Sequence, residues 1–497
     1  MATDCILAID QGTTNTKAVL CDRRGRAVYK IAAPVSLLQP KPGFVEQDAL
    51  CLWESVKCAA EAAVWHSKEI DTRIAAVAIS NQRETALAWN AETGEPLANA
   101  VGWQCNRSAE ICERVADYAP AIRARTGLPL APLISAGKWA WLLENEDRVR
   151  AARDTGVLRL GNVDSWLVYK LTGGELHATD LTNASRTGLL DFGSLQWDSD
   201  LLAVFGIPAG SLPELRHSSG SFGVCDAIEG LNGVPVLAAI GDSHAAMFGH
   251  GRFSPGSIKA TYGTGSSLMA LTDGLVADSP ALARTIAWSL GGTTQFALEG
   301  NIAMTGSAVQ WVGEFLGLAD PGNDAAHLAE GVADCAGVYF VPAMVGLGAP
   351  YWDAEARGAI TGLGRSHTAA HFARAAVEAV AYQVADVFLA MEAASGAEFA
   401  DLHADGGATR NGMLMQFQAD ILDRTVVRSR NEELSAIGAA WLAGLALGWW
   451  ASPAEIASIS CEGERFSAAM LPATRNALYA GWMDAVARVR RSREVRN

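Results

Sequence analysis

The sequence predicts an α/β protein built from two lobes. Its 497 residues exceed what one hydrophobic core usually accommodates, so at least two domains are expected. Short apolar runs typical of buried strands and the periodicity typical of amphipathic helices occur in both halves of the chain. In each half, an apolar strand runs into a turn rich in glycine and threonine. We place the boundary in the glycine-rich stretch 249–256, which gives predicted domains at 1–250 and 251–497.

The individual elements follow from the same patterns. In the first half we predict strands at 5–9, 17–20, 74–79, 85–89 and 234–240 and a helical segment at 138–149. In the second half we predict strands at 258–262 and 402–404 and helices at 371–394 and 413–422.

Composition and charge exclude several classes of protein. Half of the residues are hydrophobic and 19% are charged, which is typical of a packed globular chain and not of a disordered one. The net charge of −15 makes nucleic acid an unsuitable partner, because phosphate binding depends on Lys and Arg. Nine scattered cysteines without a CxxC pair, and an N-terminus without a basic signal region, predict reduced thiols and a cytoplasmic location.

Residues 434–454 carry no formal charge and nearly reach the length of a membrane span. The stretch contains Gly438, Gly444 and Gly448, and no second segment of this kind occurs in the chain. We therefore expect a buried helix that packs through its small residues, and no membrane partner.

Three glycine- and threonine-rich turns are candidates for binding phosphate. Backbone amides and threonine hydroxyls in such turns are suitable donors, although most turns of this composition are only turns. The first, DQGTT at 10–14, also offers Asp10 for Mg²⁺ through water and has Lys17 within reach of a phosphate. The others are GTGS at 263–266 and GGAT at 406–409. The chain lacks P-loop and dinucleotide-binding motifs, which argues against those two folds. Three turns, each after an apolar strand and spread over both lobes, together favour phosphate binding.

These motifs resemble those of the FGGY carbohydrate kinases, with the glycerol kinases as the nearest group. The opening AIDQGTT at 8–14 carries the first match, and the resemblance runs along the whole chain. Further matches are NQRET at 81–85, WQC at 103–105, TDLTNASRT at 179–187, YGTG at 262–265, LEG at 298–300, 342–364 with GLGAPYWD at 346–353, DGGA at 405–408 and MQFQADIL at 415–422.

The resemblance implies an actin-like ATPase fold, a duplicated ribonuclease H-like architecture with a central cleft. It implies that the substrate lies deep in the cleft and that ATP and Mg²⁺ lie nearer its mouth. Thr13, Thr14 and Lys17 are then expected near the γ-phosphate. The remaining nucleotide-binding residues that the resemblance implies are Gly263, Thr264, Gly306, Gln310, Gly407, Ala408 and Asn411.

On the acceptor side, the resemblance implies that Asp242 is the catalytic base that takes a proton from a hydroxyl. Sequence alone, without the resemblance, favours Asp242 as the cap of a helix starting near His244. Arg83 and Glu84 are suited to gripping vicinal hydroxyls, with an exposed ion pair as the alternative. Trp103 is expected to cover the carbon backbone of the substrate, with a core tryptophan as the alternative.

The sequence departs from glycerol kinases at three positions expected to touch the substrate. Leu133 replaces a tyrosine, Ser243 replaces a glutamine and Ser267 replaces a phenylalanine. The larger side chains that would match glycerol are lost. We therefore expect a wider pocket that discriminates less strongly in favour of glycerol. The expected substrate is a small polyol or sugar, with a longer polyol or a ketose competing with glycerol. Lys17 stands where glycerol kinases often have arginine. Lysine keeps the positive charge but lacks the forked pair of N–H donors of a guanidinium group.

The leading hypothesis is therefore an ATP- and Mg²⁺-dependent kinase that forms a homo-oligomer, a dimer or tetramer. One alternative is an ATP-driven conformational protein, which would hydrolyse ATP without an acceptor and carry a peptide-binding domain. Another is a sugar sensor that has lost catalysis. The intact Asp10, Thr13, Thr14, Thr264 and Asp242 argue for the kinase.

Overall fold

The computed structural model describes residues 3–460 and 463–491, which form two compact α/β units. Unit 1 comprises Met1–Phe253, Arg284–Phe296 and Glu433–Ser460. Unit 2 comprises Ser254–Ala283, Ala297–Glu432 and Cys461–Asn497. Each unit is therefore assembled from segments that are distant in sequence, and a single domain boundary near residue 250 stays a prediction.

The elements up to residue 249 all belong to unit 1. The strands are β1 (Thr3–Gln11), β2 (Asn15–Asp22), β3 (Ala27–Pro34), β4 (Glu46–Gln47), β5 (Thr72–Asn81), β6 (Leu87–Asn90), β7 (Ala100–Val101), β8 (Leu158–Gly161), β9 (Ala178–Asp180), β10 (Leu190–Asp191), β11 (Gln196–Trp197), β12 (Glu214–Arg216) and β13 (Val236–Gly241). The helices are α1 (Ala49–Glu69), α2 (Ala109–Arg114), α3 (Ala119–Thr126), α4 (Ser135–Asn145), α5 (Asp147–Asp154), α6 (Val163–Leu171), α7 (Leu181–Ala184), α8 (Ser199–Phe205) and α9 (Asp242–Gly249).

The later elements are divided between the units, and α14 and α15 return to unit 1. The strands are β14 (Ile258–Tyr262), β15 (Ser266–Leu271), β16 (Ala283–Leu290), β17 (Thr293–Ile302), β18 (Tyr339–Val341), β19 (Ala359–Thr361), β20 (Asp401–Asp405), β21 (Thr425–Arg428) and β22 (Glu464–Phe466). The helices are α10 (Gly306–Phe315), α11 (Pro321–Glu330), α12 (Ala369–Ser395), α13 (Gly412–Leu422), α14 (Leu434–Ala446), α15 (Pro453–Ile459) and α16 (Pro472–Arg491).

The central sheet of unit 1 has the strand order β13-β5-β1-β2-β3. Strands β1, β5 and β13 are parallel, so their carboxyl ends lie side by side at one edge. The register pairs Gln11 with Asn81 and Asn81 with Gly241. The polar motifs that follow the three strands therefore emerge next to one another.

Unit 2 contains a sheet in which β17, β15, β14, β20, β21 and β22 follow one another. The long helix predicted at 371–394 is α12, and its apolar positions lie in the core of the unit. The turns predicted to bind nucleotide come directly after β14 and β20, which are parallel neighbours.

Helix α14 crosses α9 at very short range through glycine residues. A Cβ atom added at Gly438 would lie 1.9 Å from the carbonyl oxygen of Ala245, and one added at Gly249 would lie 2.4 Å from that of Leu434. The uncharged segment 434–454 is thus a buried helix of 13 residues followed by a turn and the start of α15. Within residues 3–460 and 463–491, no helix has the length and apolar character needed to cross a membrane.

This packing predicts that Gly438→Ala destabilises the protein. The added methyl group has to displace backbone, which costs about 1–3 kcal/mol of unfolding free energy. The matched control is Gly210→Ala, where a Cβ atom meets nothing within 4 Å. Denaturant unfolding of both variants measures the difference, and equal stability would contradict the close packing.

Candidate active site

Buried glutamine side chains support the turn between β1 and β2 through hydrogen bonds. The side-chain amide of Gln47 donates to the carbonyl oxygen of Thr13 at 2.7 Å. The Gln82 amide donates to Oε1 of Gln47 at 2.9 Å and to Oε1 of Gln11 at 3.0 Å. All three glutamines are buried. Sequence analysis did not assign them a role: Gln11 and Gln82 lie in quoted motifs, and Gln47 has no local pattern because it supports a turn that is distant in sequence.

Asp10 is the last residue but one of β1 and lies among other charges. The Ser80 hydroxyl donates to its Oδ1 at 2.8 Å. Burial raises the pKa of Asp10 to about 6, and the negative charges of Asp242 and Glu433 add to the rise, against Lys17 and the Ser80 hydrogen bond. A carboxylate destabilised in this way favours a nearby cation.

Lys17 lies on β2, and its amine is paired with Glu433. Its Nζ lies 2.6 Å from Oε2 of Glu433, and Nζ of Lys30 lies 3.1 Å from Oε1 of the same carboxylate. Burial alone would raise the pKa of Glu433, but the hydrogen bonds and charges of the two lysines outweigh it and lower that pKa. Glu433 comes from the segment 433–460 that returns to unit 1, and sequence analysis did not identify it.

Arg83 and Asp242 meet at the ends of β5 and β13. Nε of Arg83 lies 3.3 Å from Oδ1 of Asp242. The Arg83 side chain is 10% exposed and that of Asp242 is 38% exposed, so the carboxylate is accessible. Gly241 leaves room for this contact, because a Cβ atom there would lie 2.7 Å from Cγ of Arg83.

Asp242 is the first residue of α9, and Gly241 holds the N-cap position. The alternative that Asp242 caps a helix starting near His244 therefore does not describe this structure. The Asp242 carboxylate accepts a hydrogen bond from the backbone amide of Ser243 at 2.6 Å, and the Ser435 hydroxyl donates to its backbone carbonyl at 3.1 Å. Ser243 itself is buried.

Glu84 is held by a buried ion pair that sequence analysis did not predict. Nε of Arg186 donates to its Oε1 at 2.6 Å, and the two side chains are 2% and 6% exposed. The backbone of Glu84 has a φ of 58°, a conformation unfavourable for residues other than glycine and enriched at functional sites. The alternative of an exposed Arg83–Glu84 ion pair is therefore wrong, since neither side chain is exposed.

Leu133 and Glu84 are connected through a buried lysine. Nζ of Lys138 donates to the carbonyl oxygens of both residues. Burial lowers the pKa of Lys138 to about 8, although the charge of Glu84 favours its protonated form. The loop before α4 is thus fixed through its backbone, and the side chain of Leu133 remains partly exposed.

Trp103 connects the segment after β5 to the turn between β1 and β2. Its indole N–H donates to the hydroxyl of Thr13 at 3.0 Å, and its backbone amide donates to the Thr85 hydroxyl at 3.2 Å. Trp103 is 38% exposed, so the alternative of a core tryptophan is wrong. Thr14, the next residue of the turn, is also exposed.

In unit 2, the turn 263–265 rests on the beginning of α10. The backbone amide of Gly306 donates to the carbonyl oxygen of Gly263 at 3.0 Å, and that of Ser307 donates to the Thr264 carbonyl at 3.0 Å. A Cβ atom at Gly306 would lie 2.5 Å from the Gly263 oxygen. Glycine is required at 306 for this close approach, which joins two of the predicted nucleotide-binding segments.

The third turn packs against the end of β14. Gly406 has a φ of 95°, and a Cβ atom there would lie 2.5 Å from the carbonyl oxygen of Tyr262. Gly407 and Ala408 follow on a short 3₁₀ helix, and the Asn411 side chain caps α13 by accepting from the Leu414 amide at 3.0 Å. The structure thus brings 263–264, 306 and the segment after Gly406 to neighbouring strand ends of unit 2.

Two further predicted residues also lie in unit 2. The side-chain amide of Gln310, on α10, donates to Oε1 of Glu314 at 2.9 Å. The Ser267 hydroxyl, on β15, donates to Oε1 of the buried Glu299 at 3.4 Å.

Comparison with known proteins assigns the family. Residues 5–249 match the N-terminal domain, and residues 258–447 the C-terminal domain, of the FGGY family of carbohydrate kinases. The chain belongs to this family, and it is an ATP-dependent kinase of a polyol or sugar. The kinase hypothesis from the sequence is thereby confirmed.

The relatives include proteins named for two different acceptors. The chain is 44% identical over 488 residues to a glycerol kinase of Symbiobacterium thermophilum, covering 98% of both chains. It is 45% identical over 499 residues to an apulose kinase of Pectobacterium atrosepticum, covering 99% of both. The crystal structure of Plasmodium falciparum glycerol kinase with ADP superposes with a TM-score of 0.92 at 31% identity over 98% of each chain. This likeness confirms the predicted α/β, actin-like ATPase fold.

The indole–Thr13 hydrogen bond predicts the effect of Trp103→Phe. The variant keeps an aromatic ring but loses a hydrogen bond worth about 0.5–1.5 kcal/mol, so we expect kcat/KM for ATP to fall. Steady-state kinetics with varied ATP measures the change. Trp65→Phe, on the exposed surface of α1, is the control and is expected to behave as wild type. Equal kinetics for the two variants would show that the hydrogen bond has no part in holding the turn.

Proposed function

We propose that this kinase phosphorylates a polyol or sugar longer than glycerol, and that Asp242 takes the proton from the attacking hydroxyl. The observation that carries the proposal is the accessible Asp242 carboxylate 3.3 Å from Arg83, at the same sheet edge as Asp10 and the phosphate turn. A carboxylate within hydrogen-bond reach of a hydroxyl is a suitable general base. The Arg83 guanidinium favours the ionised form of Asp242.

The acceptor is bound by Arg83, Glu84 and Trp103. Arg83 has several N–H donors for hydroxyl groups, and Arg186 fixes the orientation of the Glu84 carboxylate. The partly exposed ring of Trp103 offers an apolar surface for the carbon backbone of the substrate. These groups suit an acceptor with vicinal hydroxyls.

The preference for a longer acceptor rests on three smaller or apolar side chains. Leu133, Ser243 and Ser267 stand where the resemblance to glycerol kinases implies larger groups. A pocket that lacks these contacts holds glycerol less tightly and has room for further carbon atoms. The apulose kinase relative at 45% identity supports a sugar acceptor, whereas the glycerol kinase relatives support glycerol.

ATP is assigned to the turns of unit 2, at Gly263, Thr264, Gly306, Gln310, Gly407, Ala408 and Asn411. Thr13 and Thr14 bind the γ-phosphate, and Lys17, paired with Glu433, adds positive charge near them. The partly exposed Asp10 carboxylate binds Mg²⁺ through water, which suits an ion that keeps several water ligands. When bound, Mg²⁺ neutralises charge on the transferred phosphoryl group. A homo-oligomeric state and a cytoplasmic location remain predictions of the sequence.

The base assignment predicts that Asp242→Asn loses most of its acceptor-dependent turnover. Removal of a general base lowers kcat by about 10²–10⁴-fold. Release of ADP is measured with glycerol, tetritols, pentitols and ketoses as acceptors, and thermal unfolding verifies that the variant is folded. The control is Asp117→Asn, an exposed aspartate after α2. Full turnover by Asp242→Asn would exclude Asp242 as the base, and a strong wild-type preference for glycerol would exclude the longer acceptor.

The pocket changes predict that Leu133→Tyr shifts specificity toward glycerol. The tyrosine fills space that we assign to the extra carbons and returns a hydroxyl to the pocket. We expect the ratio of kcat/KM values, glycerol over the preferred longer acceptor, to rise by about 10-fold. Leu50→Tyr, at an exposed site on α1, is the control. An unchanged ratio would mean that position 133 does not contribute to acceptor choice.

A further inference from the structure

The segment Asp180–Arg186, which we call the clamp, contacts the chain on both sides of the Arg83–Asp242 pair. It consists of the end of β9, the short helix α7 and the two residues after it. All of its residues are buried. It belongs to the motif at 179–187, of which the proposed function uses only Arg186, as the partner of Glu84.

On the β13 side, the clamp holds the residue that precedes Asp242. The backbone amide of Gly241 donates to Oγ1 of Thr182 at 3.0 Å. The Thr182 hydroxyl in turn donates to Oδ1 of Asp180 at 2.8 Å. The position of the strand end before the base is therefore set by one threonine hydroxyl that is itself oriented by a carboxylate.

On the β5 side, the clamp holds the residues that flank Arg83. Asn183 and Asn81 exchange side-chain amide hydrogen bonds at 2.9 and 3.1 Å. Arg186 binds the Glu84 carboxylate at 2.6 Å. Arg83 thus lies between two residues that are both fixed to the clamp.

The clamp is held together by hydrogen bonds to the Asp180 carboxylate. Besides the Thr182 hydroxyl, the Asp180 carboxylate accepts from the backbone amides of Thr182 and Asn183 at 3.0 and 2.9 Å. It also accepts from the Ser218 hydroxyl at 2.7 Å and the Asn183 amide at 2.9 Å. A buried carboxylate with this many donors is held in one position.

The clamp also connects to α9, because Ser185 and His244 both form hydrogen bonds with the Thr285 hydroxyl, with both distances 3.1 Å.

We infer that the clamp is a positioning device that sets the placement of Asp242 relative to Arg83, with Thr182 as its critical residue. The inference rests on the proposed role of Asp242. Thr182 touches neither reacting group, and it acts through the Gly241 amide. A displacement of the base by a fraction of an ångström to about 1 Å is enough to lower turnover strongly.

The test compares Thr182→Val, Thr182→Ser and Thr187→Val. Valine keeps the shape of threonine but removes the acceptor for the Gly241 amide, whereas serine keeps the hydroxyl. Thr187 is the matched control, because it is equally buried in the same motif and, among the residues that the structure describes, its hydroxyl bonds only to Ala184 and Leu189 nearby. We expect Thr182→Val to lower kcat by about 10–100-fold with little change in KM for ATP. Thr182→Ser and Thr187→Val are expected to retain kcat, although both valine variants lose stability.

Three outcomes would overturn the inference. One is equal kcat for Thr182→Val and Thr187→Val, and another is failure of Thr182→Ser to retain kcat. The third comes from the double variant Thr182→Val, Asp242→Asn. Since the clamp acts through Asp242, the double variant should be no slower than Asp242→Asn alone, and additive losses would contradict this. Failure of the base assignment is recognised separately, because Asp242→Asn alone would then retain its turnover.

Discussion

The parallel alignment of β1, β5 and β13 is the constraint on which the site of unit 1 depends. Their register places Gln11, Asn81 and Gly241 side by side, so the residues just before or after these positions converge without long connections. Backbone hydrogen bonds of the sheet therefore bring Asp10, Arg83 and Asp242 to one edge. The sheet establishes the approximate positions of these residues. Two further features then fix them more closely, namely the buried glutamines beside the turn between β1 and β2, and the clamp.

The convergence of these residues at one sheet edge also brings several charged side chains together. The acidic groups among them are neutralised by nearby cations to different extents. Lys17 and Lys30 neutralise Glu433, and Arg83 lies beside Asp242. Asp10 lies close enough to both acidic groups for their charges to help raise its pKa to about 6. Partly desolvated carboxylates destabilise a folded protein unless a cation compensates them. Under the proposed function, a divalent cation bound beside Asp10 would compensate the surplus negative charge at this edge.

Sequence reasoning found the residues that follow strands and missed those that support them from elsewhere. Asp10, Arg83, Glu84 and Asp242 stand in local patterns, namely a polar motif directly after an apolar run. Gln47, Arg186 and Glu433 have no such signal, because their partners are distant in the chain. Lys17 and Glu433 are separated by 416 positions. The helix in 434–454 was predicted, but its return with 433–460 to unit 1 was not. Strand and helix patterns describe local structure, and they do not indicate which hydrophobic core a helix joins.

Under the role proposed for Leu133, the support of position 133 explains how acceptor choice can vary while catalysis is maintained. Lys138 binds the backbone carbonyls of Leu133 and Glu84, so the loop is held whatever side chain occurs at 133. Glu84 has its own anchor in Arg186, and Asp242 has its own through Gly241 and Thr182. A different side chain at 133, such as the tyrosine that the resemblance to glycerol kinases implies, therefore leaves the support of Asp242 unchanged. Under the roles proposed for Leu133 and Asp242, these separate supports allow the acceptor to change independently of the phosphoryl-transfer chemistry.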